Sequence, residues 1–181
     1  MSRIKSVDPS TATGKAKELL DGVKGKLGIV PNMTKVMAAS LAVLEAHLGF
    51  SGALAGGLLD AKTCEQIALL TAQQNQCNYC LSAHSALGKI AGLNPDEIAT
   101  SRNGIGSNAK TTAALAFAKR ILDTKGQISE ADLSTVRGGG FSDGEIAEII
   151  AHVALNVFTN YFNVATDVEI DFPKVSHLNA A

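Results

Sequence analysis

The stretch Glu65-Gln-Ile-Ala-Leu-Leu-Thr-Ala-Gln-Gln-Asn-Gln-Cys77-Asn-Tyr-Cys80-Leu-Ser-Ala-His84 decides how the rest of the chain is read. A helix starting after Asp60 carries Glu65, Ile67, Ala68, Leu70 and Thr71 and fades in the polar run Gln73-Gln-Asn-Gln76. A second helix starts around Cys77 and ends at Gly92. On it, positions 77, 80 and 84 follow the i, i+3, i+7 pattern, so two thiols and an imidazole share one face, with His84 within reach of Cys80 at i+4. A cysteine in the first turn of a helix feels the positive end of the macrodipole and the unpaired backbone N–H groups, which favour thiolate over thiol. Glu65 lies on the preceding helix, and a turn between the two would fold its carboxylate toward the same face.

Working outward, the same helical grammar repeats. The chain has 181 residues, 46% hydrophobic and 4% aromatic, without Trp, and alternating strand patterns are scarce. A helix is expected from Thr11 to Leu27, closed by Gly28-Ile-Val-Pro31. Asn32 then reads as the cap of a second helix running through Val36, Ala39, Val43 and Leu48. Four glycines within 49–59 weaken any helix there. Asn94-Pro95-Asp96-Glu97, Ser107-Asn108, Ser129-x-x-Asp132 and Ser142-x-x-Glu145 open further helices, and the last of these, Asp143 to Thr166, is the longest. The expected fold is all-α: one domain over 1–181, an orthogonal bundle of about seven to nine helices with its core at about 60–92 and a loose tail over 172–181.

Sixteen basic against seventeen acidic side chains give a net charge of −1, and no block of one sign is long enough to attract a polyanion or an anionic bilayer. Nucleic-acid and membrane partners are therefore not expected. The apolar runs are short, and Met1-Ser-Arg-Ile-Lys-Ser lacks the apolar core of a signal peptide, so the chain reads as cytoplasmic. Three cysteines do not make a disulfide framework, and in a reducing compartment Cys77-x-x-Cys80 points to redox or metal chemistry. Two chemistries remain open on residue types. A thiolate, a second thiol, an imidazole and a carboxylate suit peroxide reduction, with His84 and Glu65 managing protons. Cys64, Cys77, Cys80 and His84 also number the four ligands of a zinc-stabilised binding module. Leu81 stands where c-type haem attachment needs His, and Gly138–Gly140 lack the strand and Lys-Ser/Thr of a phosphate loop. On the last helix His152, Asn156, Thr159, Asn160 and Asn163 form a polar stripe, which reads either as the lining of a thiol pocket or subunit interface or as a solvated face. The scarcity of charge on it leans toward burial in an oligomer.

The pattern Glu65-x11-Cys77-x-x-Cys80-x3-His84 resembles the active-site motif of the alkylhydroperoxidase D branch of the carboxymuconolactone decarboxylase-like superfamily. Gly28–Asn32, Leu44–Gly57 and Thr159-Asn-Tyr-Phe-Asn163 look like its peroxidase-related members, so the likeness covers most of the chain. The resemblance implies that Cys80 is the peroxidatic thiol, Cys77 the resolving one, and His84 and Glu65 the proton relay. It also implies a trimer or hexamer, no cofactor or metal, and a peroxide substrate whose electrons come from a dithiol reductant such as a lipoylated or thioredoxin-like protein. The same fold would serve a dithiol sensor or disulfide reductase, and the decarboxylase reaction is the weaker reading. One departure stands out, since alkylhydroperoxidase D tends to carry His between the cysteines where this chain has Tyr79. Tyr79, His152, Asn156 and Asn160 are the further candidates for a pocket or interface.

Overall fold

The structure, a computed structural model, describes residues 2–178, which form nine α-helices and no strand. In order they are α1 (Gly14–Leu27), α2 (Asn32–Met37), α3 (Leu41–Leu54), α4 (Ala61–Gln74), α5 (Asn78–Ile90), α6 (Pro95–Ser101), α7 (Ala109–Thr124), α8 (Glu130–Gly138) and α9 (Asp143–Thr166). None is long and apolar enough to cross a membrane.

Helix α4 is the axis of the fold because its sequence is uncharged from Gln66 to Ala72, and each of those residues is buried. A helix without a polar side must be covered on all sides. Its Ile67 and Leu70 pack into a core with Leu115 and Ala118 of α7 and Ile149 and Val153 of α9. Its Leu69 and Ala72 face a second core with Val36, Leu81, Leu93 and Ile98, and this core includes both cysteines of the motif. A third cluster joins Leu20, Met37 and Leu44 of the first three helices.

The helix starts read as caps behave as such. Asp60, Asn94, Asn108, Ser129 and Ser142 each accept a backbone N–H in the first turn of their helices, and at 94, 129 and 142 the reciprocal acid completes a capping box. Three expectations are corrected. First, α1 starts at Gly14 rather than Thr11, since Asp8 engages Ser10 and closes a turn through Ala12. Second, the single helix expected from Asn32 is two, broken at Ala38-Ala39-Ser40. Asn32 is the first helical residue rather than the cap, because its amide N–H and side chain are held by Asp171 and by the Glu169 carbonyl. Third, α3 runs through Gly49 and Gly52 to Leu54. A helical glycine costs about 1 kcal/mol, which the contacts of α3 with α1, α2 and α9 outweigh.

The segment expected as a loose tail is tied to the motif helix as far as it is described. Val175 N donates to Ser82 Oγ at 2.9 Å and His177 N to Asn78 Oδ1 at 2.8 Å. Arg102 donates to the Ser176 carbonyl, and Gln73 exchanges bonds with the Leu178 backbone. Asn78, Ser82, Gln73 and Arg102 are the polar anchors that periodicity alone does not reveal. Residues 179–181 of the expected tail lie outside the described residues.

Candidate active site

Helices α4 and α5 form a hairpin around Asn75-Gln76-Cys77, with Gln76 in the left-handed region at φ 54°. Gly88 leaves room for the turn after α5, since a Cβ there would come within 3.1 Å of Leu93 Cδ1, whereas Glu65 Cβ across the hairpin, at 3.9 Å, would be in ordinary contact. The hairpin brings Glu65 back to His84, and Glu65 Oε2 lies 2.9 Å from His84 Nδ1. A carboxylate accepts, so Nδ1 carries the hydrogen and Nε2 is the ring nitrogen left to exchange a proton. Both side chains are about one-fifth exposed, at 20% and 22%. The His84 ring is bonded to Glu65, and no hydrogen bond joins it to a cysteine sulfur among the described residues.

Cys77 and Cys80 are joined as a disulfide with Cα atoms 5.3 Å apart, inside the usual range. Cys77 is the N-cap of α5, one position before the expected first turn, and its sulfur accepts the Cys80 N–H at 3.2 Å. In the reduced protein that N–H and the helix dipole would favour a Cys77 thiolate. Cys77 and Cys80 are 1% and 2% exposed. Asn163, a member of the stripe that one reading made the lining of a thiol pocket, reaches Cys80 directly, with Nδ2 3.2 Å from Sγ.

The remaining candidates separate. Tyr79 is buried beside the motif and turned into the fold: its hydroxyl donates to Asp171 Oδ1 at 2.9 Å, accepts from Met33 N at 3.2 Å, and its ring meets Phe172 edge-on. Burial, with Asp171 beside it, keeps its hydroxyl protonated, so Tyr79 secures the 171–172 segment. The stripe of α9 is buried within the single chain rather than by an oligomer, because it faces α4 and α5. Asn156 and Thr159 bond back to their own helix, whereas Asn160 Oδ1 accepts from Asn75 Nδ2 at 3.0 Å. His152 meets Cys64, Nε2 to Sγ at 3.3 Å, and burial lowers its pKa. His47 sits beside Phe158 with Nδ1 buried and unpaired, and burial together with the nearby His84 lowers its pKa.

Cys64 stands near the start of α4 and Cys77 beyond its end, with a stretch of helix about 15 Å long between them at the rise of ~1.5 Å per residue. Among the described residues no group of three or more His, Cys, Asp or Glu side chains is placed to hold a metal ion. Burial and the carboxylates of Glu65, Asp60 and Glu148 push the Cys64 thiol up to about 12. Native protein at pH 8 is therefore expected to resist alkylation at Cys64, which becomes reactive on unfolding. The sign for stability follows from the raised value. The folded thiol holds its proton while the unfolded one releases it, so stability falls as pH rises from about 9 toward about 12. Cys64→Ala should flatten this fall in thermal melts taken across that range.

The architecture is thus that of an all-α dithiol protein, with a Cys-x-x-Cys at a helix start and a Glu–His pair one hairpin away. Comparison with known proteins gives the class a family. A sequence profile of the carboxymuconolactone decarboxylase family matches residues 41–123, α3 through most of α7. A peroxidase-related protein of Ralstonia eutropha JMP134 with an alkylhydroperoxidase D core superposes with a TM-score of 0.83 at 26% identity, covering 94% of this chain and 92% of that one. A peroxidase-related protein of Silicibacter sp. TM1040 gives 0.78 at 26% identity, over 93% and 94% of the two chains. The debrominase Bmp8, solved with 2,3,4-tribromopyrrole, shares the fold at 20% identity and a TM-score of 0.77 over 93% and 91%. No curated protein matches. Residues 41–123 thus match the carboxymuconolactone decarboxylase family, and the fold as a whole is that of the alkylhydroperoxidase D-like proteins.

Proposed function

We propose that the protein is a two-cysteine peroxidase that reduces alkyl hydroperoxides or hydrogen peroxide. The observation that carries this reading is the Cys77–Cys80 disulfide at the start of α5, one hairpin from the Glu65–His84 pair. The Cys80 thiolate attacks the terminal oxygen of ROOH, the O–O bond breaks, and Cys80 becomes a sulfenic acid while RO⁻ departs. His84, its Nδ1 held by Glu65, takes on Nε2 the proton that Cys80 gives up and delivers it to RO⁻, making ROH. The Cys77 thiol then condenses with the sulfenic acid, forming the disulfide and releasing water. A dithiol reductant, lipoylated or thioredoxin-like, returns both thiols by exchange and leaves as its own disulfide. The experiment is consumption of an organic hydroperoxide by the reduced protein with dihydrolipoamide as electron source. Sustained turnover supports the reading. Reduction of peptide disulfides without peroxide consumption would favour a disulfide reductase on the same fold.

The reading includes assembly, as a trimer or hexamer of identical chains in the cytoplasm. Outside the buried stripe, α9 turns Ala147, Ile150, Ala154, Phe158, Tyr161 and Val164 to the surface, an uncharged row at three- and four-residue spacing with Tyr161 62% exposed. A solvated helix face carries charges, so this row suits a second copy of the chain. Light scattering is expected to give a discrete multiple of 18.7 kDa for the native chain. Ile150→Asp with Tyr161→Asp should shift it to the monomer, and a native monomer would contradict the assembly.

A further inference from the structure

Two carboxamides on α9 are buried without complete hydrogen bonding. Asn163 is 3% exposed, and its Nδ2 lies 3.2 Å from Cys80 Sγ and 3.2 Å from Met33 Sδ. Its Oδ1 is buried with no partner. Asn160, nearly one turn earlier, is fully buried. Asn75 fixes the orientation of its amide by donating to Oδ1, which leaves Nδ2 unpaired. Buried amide atoms are almost always paired, because an unpaired one forfeits its hydration without return. A free acceptor on the side chain that touches a redox-active sulfur, with a free donor on the same helix face, is what a small molecule that both donates and accepts would satisfy.

We infer that Asn163 is a further catalytic residue of the thiol site, with Nδ2 holding the Cys80 thiolate and Oδ1 accepting the O–H of a neutral hydroperoxide. The inference rests on the peroxidase reading and specifies the form of substrate taken. An N–H donor to sulfur stabilises the thiolate over the thiol, as hydrogen bonds to a charged form do. Oδ1 then holds the hydrogen of the terminal peroxide oxygen, the atom that Sγ attacks. The S–O bond forms, the O–O bond breaks, and the electron pair leaves on the alkoxide oxygen, which takes its proton from His84. Asn160 Nδ2 supplies the free donor on the same face. An anionic peroxide has no hydrogen for Oδ1, and its charge would lie against a carbonyl oxygen. The site therefore takes ROOH and not its anion.

The test uses the full chain carrying Cys64→Ala and Cys77→Ser, in which Cys80 is the one remaining thiol, with Asn163 intact or changed to Leu, Asp or Ala. Thiolate absorbance against pH gives the Cys80 pKa, and stopped-flow mixing with tert-butyl hydroperoxide gives the oxidation rate. Asn163→Leu is expected to raise the Cys80 pKa by about one, a tenfold loss of thiolate at pH below it. At a pH where Cys80 is fully ionised, the Leu variant should still oxidise about tenfold more slowly, a deficit of about 1.4 kcal/mol in the barrier. Asn163→Asp restores an acceptor without a donor, so it should raise the pKa further while recovering part of that rate. Asn163→Ala removes both atoms with less volume added and serves where Leu does not fold. A folded Leu or Ala variant matching its parent in both pKa and rate overturns the inference while the peroxidase reading stands. A parent that ionises but does not react with hydroperoxide overturns the peroxidase reading and, with it, the role given to Oδ1.

Discussion

Cys80→Ser is expected to abolish peroxide turnover, whereas Cys77→Ser is expected to allow one oxidation per subunit and then stop. The asymmetry follows from the role the proposed mechanism gives each sulfur. Removing Cys80 removes the atom that attacks the O–O bond, and Cys77, although its sulfur takes a helix N–H, has no Asn163 amide against it. Removing Cys77 leaves the attack intact but strands Cys80 as a sulfenic acid, since the next free thiol, Cys64, is far along α4 and holds its proton. Trapping with a sulfenic-acid reagent should label one site per Cys77→Ser subunit and none in Cys80→Ser. Equal, undiminished turnover in both variants would remove the two-cysteine mechanism.

Glu65→Gln and His84→Gln are each expected to lower turnover by about a hundredfold, in line with general acid–base contributions. The two act through one hydrogen bond of 2.9 Å, so the double variant should lose little more than either single one. The readout that separates this role from mere packing is the product step. With a hydroperoxide whose alkoxide is a good leaving group, proton delivery matters less, and the variants should recover much of their rate. Additive losses in the double variant, or no dependence on the leaving group, would show that the pair does not work as a relay.

Much of the fold is legible in the sequence. Local signals sufficed for the helix starts, because Asp60, Asn94, Asn108, Ser129 and Ser142 cap through bonds spanning three residues. Spacing put Glu65 and His84 on consecutive helices, and their contact depends on the turn at Gln76 that folds the two helices together. The place of Asn32 inside its helix was less visible, since the residues that hold it come from positions 169 and 171, far along the chain. The polar stripe illustrates the limit of periodicity, which shows that two faces of α9 differ but not which one the rest of the chain covers. Uncharged amides turned out to face α4 and α5, and the apolar row to face outward. Asn163 was visible as a stripe member, yet its contact with Cys80 depends on how α9 crosses the start of α5, a tertiary fact that no local pattern encodes.

The central claim is that Cys77 and Cys80 exchange electrons with a peroxide. It is tested most directly by the intact mass and free-thiol count of fully reduced protein before and after one equivalent of an organic hydroperoxide, followed over seconds to minutes. The account predicts that two of the three thiols disappear quickly, that the mass falls by two hydrogens, and that peptide mapping places the bond between Cys77 and Cys80 with Cys64 still free. Slow or absent oxidation, or a disulfide that recruits Cys64, would contradict it.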